Sequence, residues 1–373
     1  MNLPNNAALD DAELGAWLHL LHSVGRGAAR RLLLRFGGPH AVLTASASDR
    51  AAEVDAKVAA ALGSAPPGHA ERLAATLAWR DAAAARRVMV LGDADYPPLL
   101  LNSADPPLLL YLQGRADLLG APSLAIVGSR QPTAQGLDNA RGFARALGQQ
   151  GWTIVSGMAA GIDAAAHEGA LSSQASTVAV VGTGIDRVFP LSNRALAKRI
   201  AERGLLVSEL ALGTPPLAAN FPQRNRLIAG LSRGTLVVEA ALRSGSLITA
   251  RLAAEAGREV MAIPGSVLAA QSQGCHALIR QGAVLVESPA QVLEELNGLS
   301  ALAEAAPAPA SRQALAPEDA VLRALGHDPQ SLDGLIDRCG WPAPALSAYL
   351  LQLELDGRVA RLPGGLFQRR QSA

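Results

Sequence analysis

The stretch Leu124-Ala125-Ile126-Val127-Gly128-Ser129-Arg130 sets four apolar residues directly before a glycine, a hydroxyl and a guanidinium. A short apolar run that stops on glycine is the pattern of a strand buried on both faces with a sharp turn at its end. Six further runs share it: Thr153 to Val155, Val178 to Val181, Leu205 to Val207, Leu236 to Val238, Val260 to Ile263 and Ala283 to Val286. Helix-compatible stretches separate them at 136–149, 163–171, 193–203, 224–231, 247–256 and 275–281, and one more follows at 289–297. This alternation predicts an α/β fold over residues 85–300, a mostly parallel sheet covered by helices on both faces. Tyr96-Pro97-Pro98-Leu99 and Asp105-Pro106-Pro107-Leu108 read as turns leading into further short strands before it.

Outward from the sheet the texture changes at both ends. Residues 1–84 are rich in alanine and leucine at helical spacing, as in Leu14, Trp17, Leu18 and Leu21, which predicts a small helical domain. Within it, Val24-Gly25-Arg26-Gly27-Ala28-Ala29-Arg30 is either a glycine loop between packed helices or a turn offering N–H groups to a phosphate. Residues 301–316, alanine- and proline-rich without an apolar face, read as a linker. Residues 317–373 carry helical runs at 318–325, 331–338 and 343–356, then Arg358 to Leu362 and Leu366 to Arg369 around Pro363-Gly364-Gly365. Three helices and a hairpin predict a winged-helix domain.

Composition narrows the function. The 373 residues hold 33 basic and 32 acidic groups, net +1, so any electrostatic site is local. Lys57 and Lys198 are the only lysines, and the many arginines are planar donors suited to phosphate. Two distant cysteines, Cys275 and Cys339, exclude a disulfide scaffold and cysteine-rich zinc patterns, which favours a reducing compartment. The first residues lack a secretory pattern, and no apolar run approaches the ~20 residues that span a bilayer, so a cytoplasmic protein without membrane contact is expected.

Ligands bind beyond the C-terminal ends of parallel strands, and there the loops are alike. They are Gly128-Ser129-Arg130, Ser156-Gly157-Met158-Ala159-Ala160-Gly161 and Gly182-Thr183-Gly184. Glycines admit a close backbone approach and helix N-termini offer N–H groups, so the shared preference is for an anion; the alternative is that each glycine serves only a tight turn. Gly182 and Gly184 do not open a helix, which breaks the dinucleotide fingerprint, and no phosphate-binding G-x-x-x-x-G-K-[ST] is present. No cofactor is therefore called for. Between residues 220 and 250, Arg224, Arg226, Arg233 and Arg243 face a single acid, Glu239, a local net of +3. Arg224 and Arg226 point to different sides of a helix, so at least one is structural, and Glu209 and Glu239 are candidate partners. The guanidiniums left over, with Arg130, can hold phosphates, and Phe221 offers a face to a base. Gly245, Ser246 and Thr249 begin another helix with small donors, and Ile263-Pro264-Gly265-Ser266 closes the next strand. So many short-side-chain loops along one sheet edge suit a polymer better than a small molecule.

Several ordered motifs then carry a resemblance: AIVGSR at 125–130, SGMAAGIDAAAHEGAL at 156–171, VGTGIDRVFP at 181–190, NFPQRNRLIAGLS at 220–232, EAALRSGSLITARLAAEAGREVMAIPG at 239–265 and GCHALIRQGA at 274–283. The chain resembles the DNA-processing protein A (DprA, also called Smf) family along nearly its whole length. That resemblance implies an extended Rossmann domain that binds single-stranded DNA, forms a homodimer and loads the RecA recombinase during natural transformation. It implies DNA contacts at Gly128, Ser129, Arg130, Gly157, Gly161, Gly182, Gly184, Phe221, Arg224, Asn225 and Arg226. Many relatives carry a basic residue within or just before the FP-x-RNR run, whereas Gln223 and residues 213–219 supply none. The N-terminal helices resemble a sterile-alpha-motif or a helix-hairpin-helix domain.

Two other classes compete. The sheet also resembles phosphoribohydrolases with a P-G-G-x-G-T-x-x-E motif, but Ser232 to Glu239 lacks the paired glycines and its glutamate falls one residue late. In a strand that slip turns the carboxylate to the other face. A transcription regulator would read duplex DNA with the helix at 343–356, which carries no arginine. Asp163 and His167, four apart, read as a helix N-cap and a packed histidine rather than a metal or acid–base pair, and Cys275 as a small buried residue. The expected protein is not an enzyme.

Overall fold

Leucine, isoleucine and valine runs without charge can lie flat only where both faces are covered. Among the described residues one sheet holds nine strands, of which the central ones are of this kind: β1 (Arg86–Val90), β2 (Leu109–Gly114), β3 (Ser123–Val127), β4 (Thr153–Ser156), β5 (Thr177–Val180), β6 (Leu205–Ser208), β7 (Gly234–Val237), β8 (Glu259–Ala262) and β9 (Val284–Leu285). Every residue of β3 to β7 is buried. This computed structural model describes residues 9–304, 321–322, 324–325, 330–356, 358–362 and 366–369. It divides into two units, Met1–Ala303 and Glu304–Ala373.

The strand order is β1-β2-β6-β5-β4-β3-β7-β8-β9. The pairings from β6 through β9 are parallel, with Leu124 opposite Ile154 and Ile126 opposite Leu236. β1 and β2 run antiparallel to their neighbours. From β3 the chain first steps outward through β4, β5 and β6, then returns to β3's other side with β7, which puts the switch point between β3 and β7.

Among the described residues six helices, α1 (Asp11–Ser23), α2 (Arg26–Phe36), α3 (Pro39–Thr44), α4 (Ala47–Ala51), α5 (Ala56–Ala61) and α6 (His69–Asp81), precede the sheet, and α7 (Pro98–Leu101) lies between β1 and β2. The crossovers are α8 (Ala134–Gln149), α9 (Ile162–Ala170), α10 (Arg194–Arg203), α11 (Asn220–Leu231), α12 (Ser246–Glu255) and α13 (Gln273–Arg280), and α14 (Pro289–Glu304) follows β9. Alternate strand residues feed opposite faces. Ala125, Val127, Val178 and Val180 pack with α11 and α12, while Leu124 and Ile126 pack with α8, α9 and α14.

The core does not break at the boundary read between residues 84 and 85. Leu14, Leu18, Leu20 and Leu32 share one apolar cluster with Val88, Val90, Leu109 and Tyr111 of β1 and β2 and with Leu196 and Ile200 of α10. Each leucine so buried contributes ~1.5–3 kcal/mol, so the N-terminal helices act as one cover of the sheet. Arg26 and Arg30, from the glycine run, reinforce that seam: Arg26 pairs with Glu209 at 2.9 Å and with Asp105 at 3.4 Å, and Arg30 with Asp105. Only Val24 and Gly25 of the glycine run form the turn between packed helices; residues 26–30 open α2, with Arg26 and Arg30 turned to carboxylates. α14 continues to Glu304, past the linker start read at 301; residues 305–316 of that linker lie outside the described residues.

The second unit pairs β10 (Gln330–Ser331), β12 (Leu366–Arg369) and β11 (Val359–Leu362) in that order, with helices α15 (Leu332–Cys339) and α16 (Ala343–Leu355). Val321, Leu322, Leu325, Leu335, Leu346, Leu350, Leu353 and Val359 form its core. Residues 321–322 and 324–325 of the run at 318–325 are helical; the rest lies outside the described residues. This is the winged-helix arrangement. No helix among the described residues is long and apolar enough to cross a membrane.

Candidate nucleic-acid interface

The loops leaving β3 and β7 meet at the switch point, and a carboxylate clamps them. The backbone N–H of Thr133 donates to Glu239 Oε2 at 2.9 Å, and the Thr133 hydroxyl donates to Oε1. Thr133 in turn caps α8, accepting the Gly136 N–H at 3.0 Å. Glu239 therefore holds two loops together, so it is not a base free to face a ligand.

Beneath the edge lie a buried guanidinium and a buried carboxyl that feel each other's charge. Arg224 is 6% exposed, and its Nη1 donates to the carbonyls of Gly157 and Val180, the ends of the β4 and β5 strands. A Cβ on Gly157 would sit 2.4–2.6 Å from the guanidinium, so any side chain here would have to displace Arg224. Asp163 accepts the N–H groups of Gly157 at 3.2 Å and Ala159 at 3.3 Å. Burial raises its carboxyl, and the Arg224 charge and the two donors oppose that rise. Burial likewise lowers the Arg224 guanidinium to about 10, against the pull of Asp163. Arg224, expected on phosphate, is buried and bolts α11 to the ends of β4 and β5. The N-cap of α9 is Gly161 and not Asp163, which lies in the first turn and fastens the preceding loop.

Behind the pair, the Thr177 hydroxyl donates to the Ile154 carbonyl at 2.6 Å and accepts from His167 Nδ1 at 2.7 Å. Burial holds the imidazole neutral, lowered to about 3. His167 is the packed histidine that its position in the helix predicts. Cys275 is fully buried, which raises its thiol.

Arg226 is also taken up internally. It pairs with Glu209, reaches Asp105 Oδ2 at 3.3 Å and donates to the Asp105 carbonyl at 2.6 Å, joining Arg26 and Arg30 at the seam. Glu209 is one of the two acids named for it from the sequence, whereas Glu239 has gone to Thr133. Ser246 and Thr249 are buried, with Ser246 Oγ 2.7 Å from Ser244 Oγ, so little of either side chain is presented to solvent. The expectation of phosphate donors there is corrected by the depth at which α12 packs.

The glycines are tightly packed. At Gly161, φ is +86° and a Cβ would meet the Ser129 carbonyl at 2.4 Å. At Gly182 it would strike the Phe221 ring at 2.8 Å, at Gly184 Asp186 and the Ala211 carbonyl, and at Gly128 Ile162. These contacts nest the strand-end loops into one another.

What remains at the surface is small and coherent. Arg130 is exposed, engaged by no ion pair among the described residues, and its guanidinium lies 5.7 Å from the centre of the half-buried Phe221 ring. Phe221 in turn tilts against Phe189 at 5.5 Å. Half-buried Ser129 lies beside Arg130, and half-buried Asn225 donates to the carbonyl of exposed Gly245 at 3.3 Å, tying the starts of α11 and α12. Phe189, 43% exposed, belongs to this surface and was missed; an aromatic two residues past Arg187, in a loop that starts no helix, was the available signal.

The model of the family described as DNA recombination-mediator protein A matches residues 87–297, and that of the DprA winged helix domain matches 304–365. Protein Smf of Escherichia coli is 44% identical over 283 residues, covering 74% of this chain and 76% of that protein. The X-ray structure of DNA processing protein A from Streptococcus pneumoniae superposes with a TM-score of 0.64 at 36% identity, over 78% of this chain and 99% of that one. The structure of DNA processing protein A from Helicobacter pylori, described for its single-stranded DNA binding mode, gives a TM-score of 0.51 at 31% identity, over 57% and 96%. This chain, from the β1 strand to its winged helix, belongs to the DNA recombination-mediator protein A family.

Proposed function

We propose that this protein binds and protects incoming single-stranded DNA without sequence preference, as a homodimer in the cytoplasm, and loads the RecA recombinase onto it during natural transformation, without catalysing a reaction. The observation that carries the reading is the exposed Arg130 guanidinium over Phe221 at the edge of the switch point. A cation and an aromatic face side by side fit a phosphodiester backbone and an unstacked base, and neither selects among bases. The relative from Helicobacter pylori, described as binding single-stranded DNA, supports it. The clamped Glu239 weighs against a phosphoribohydrolase, and the lack of arginine in α16 against a duplex reader.

Fluorescence anisotropy of labelled single strands and matching duplexes at several salt concentrations tests this. The single strand is expected to bind more tightly at every base composition. Arg130→Ala is expected to weaken all sequences alike and to flatten the log–log salt slope by about 0.7, one phosphate contact. Equal affinity for duplex and single strand, or an unchanged slope in the variant, would overturn the assignment. Sedimentation with and without RecA tests the assembly.

A further inference from the structure

The loop from β5 to α10 is built like the edge it adjoins, yet nothing in the site described above uses most of it. Residues 185–199, this loop and the first turns of α10, hold Arg187, Arg194, Lys198 and Arg199 against Asp186 alone, a net of +3 in a nearly neutral protein. All four cations are exposed. Lys198 pairs loosely with Glu202 at 3.9 Å, and no ion pair engages Arg187, Arg194 or Arg199 among the described residues. Between them Phe189 is 43% exposed and Leu191 77%, apolar surface with no cover in this unit.

The loop is also held in place. The Thr183 hydroxyl donates to the Arg187 carbonyl at 2.7 Å, and the Asp186 carboxylate accepts the Gly213 N–H at 2.8 Å. Asn193 closes the far end, donating to the Met158 carbonyl at 3.0 Å. Asp186 is thus directed at backbone, which leaves the outward field of the loop positive. A fixed aromatic flanked by arginines is a stacking platform with phosphate holders on either side.

We infer that the bound single strand does not end at Phe221 but continues over Phe189 and Leu191 to Arg187 and Arg194, a second base-and-phosphate subsite leading toward the start of α10. This rests on the single-stranded DNA reading. Continuity carries it, because the Phe189 ring touches the Phe221 ring, which in turn lies under Arg130. Charge selects the occupant, since a net positive, arginine-flanked aromatic suits a polyanion with π faces better than a protein's apolar patch.

The test uses the full chain and an oligothymidylate of about 30 nucleotides, longer than the roughly 4–16 that one fold usually covers. Phe189→Ala is expected to weaken binding about tenfold with an unchanged salt slope, because stacking releases no counterions. Phe189→Tyr keeps the ring and is expected to restore affinity, whereas Phe189→Leu is not. Arg187→Ala/Arg194→Ala is expected to flatten the slope by about 1.4, two contacts at about 0.7 each. If these variants bind like the parent while Arg130→Ala binds weakly, the strand does not cross this loop and the inference falls with the DNA reading intact. If Phe189→Leu matches Phe189→Tyr, apolar support and not base stacking is at work, and the inference falls as well. If the parent itself fails to bind single strands, it is the underlying reading that fails.

Discussion

Arg224→Ala is expected to lower the unfolding free energy by about 3–5 kcal/mol, measured by urea denaturation at neutral pH. The magnitude reflects two buried carbonyls left without their donor and a buried carboxyl left without the guanidinium charge near it. The Asp163 carboxylate would stay buried without its counter-charge, and the carbonyls of Gly157 and Val180 would lose their donor. Arg224→Lys keeps a charge but not the planar fork, so it is expected to recover only part of the loss. Asp163→Asn combined with Arg224→Ala should cost less than the two single changes added, since the stranded charge is gone. Arg130→Ala is expected to change stability by no more than about 0.5 kcal/mol, as at most exposed positions. The arginine of the AIVGSR run and the first arginine of the RNR run are thereby separated, one by affinity and the other by stability. A loss below about 1 kcal/mol on Arg224→Ala would show that the cavity tolerates water, and the bolt would have no structural role.

The second large effect is acid sensitivity centred on His167. Its imidazole ordinarily titrates near 6.5 and is lowered by burial to about 3 in the fold. Below about pH 6.5 the unfolded chain takes up a proton there that the native chain refuses, so the unfolded state gains. The stabilisation is complete above pH 6.5 and is lost as pH falls toward 3, at about 1.4 kcal/mol per unit. Between pH 6.5 and 4.5 this amounts to about 2–3 kcal/mol. His19 and His22 are also lowered, chiefly by partial burial, and add to the slope of the parent chain. The diagnostic quantity is therefore the difference between the parent and His167→Gln, whose amide can still donate to Thr177 but does not titrate. Parallel pH profiles for the two proteins would sink the prediction.

Much of the sheet could be read from the chain because its signal is local. Seven runs of three or four apolar residues, each closed by a turn, needed no tertiary knowledge to be placed as strands, and six of the seven are fully or almost fully buried. The join between the N-terminal helices and the sheet was not legible, because Leu14 and Tyr111 become one core only after β2 docks beside β6. The arginines of the RNR run illustrate the same limit. Spacing shows that residues 224 and 226 leave a helix in different directions; it does not show that one direction leads to Asp163 and the other to Glu209 and Asp105. The strand-end glycines left two readings open, phosphate approach or packing, and the neighbours that decide between them come from other loops. Phe189 escaped although it stands in the VGTGIDRVFP motif, because both the dinucleotide comparison and the resemblance are read there at Gly182 and Gly184 and not at the side chains beyond them.

The position of β2 has a consequence for synthesis on the ribosome. Its open edge is completed by β6, about ninety residues further on, with Tyr111 opposite Ser208. At translation rates of roughly 5–20 residues per second, the β1–β2 hairpin waits about 5–20 s for that partner to be made. During the wait the Leu109-Leu110-Tyr111-Leu112 edge is an unpaired apolar strand, the kind that joins other chains. Synonymous codons that slow elongation between β2 and β6 would lengthen that exposure without changing a residue of the finished protein, lowering its yield while leaving its stability untouched.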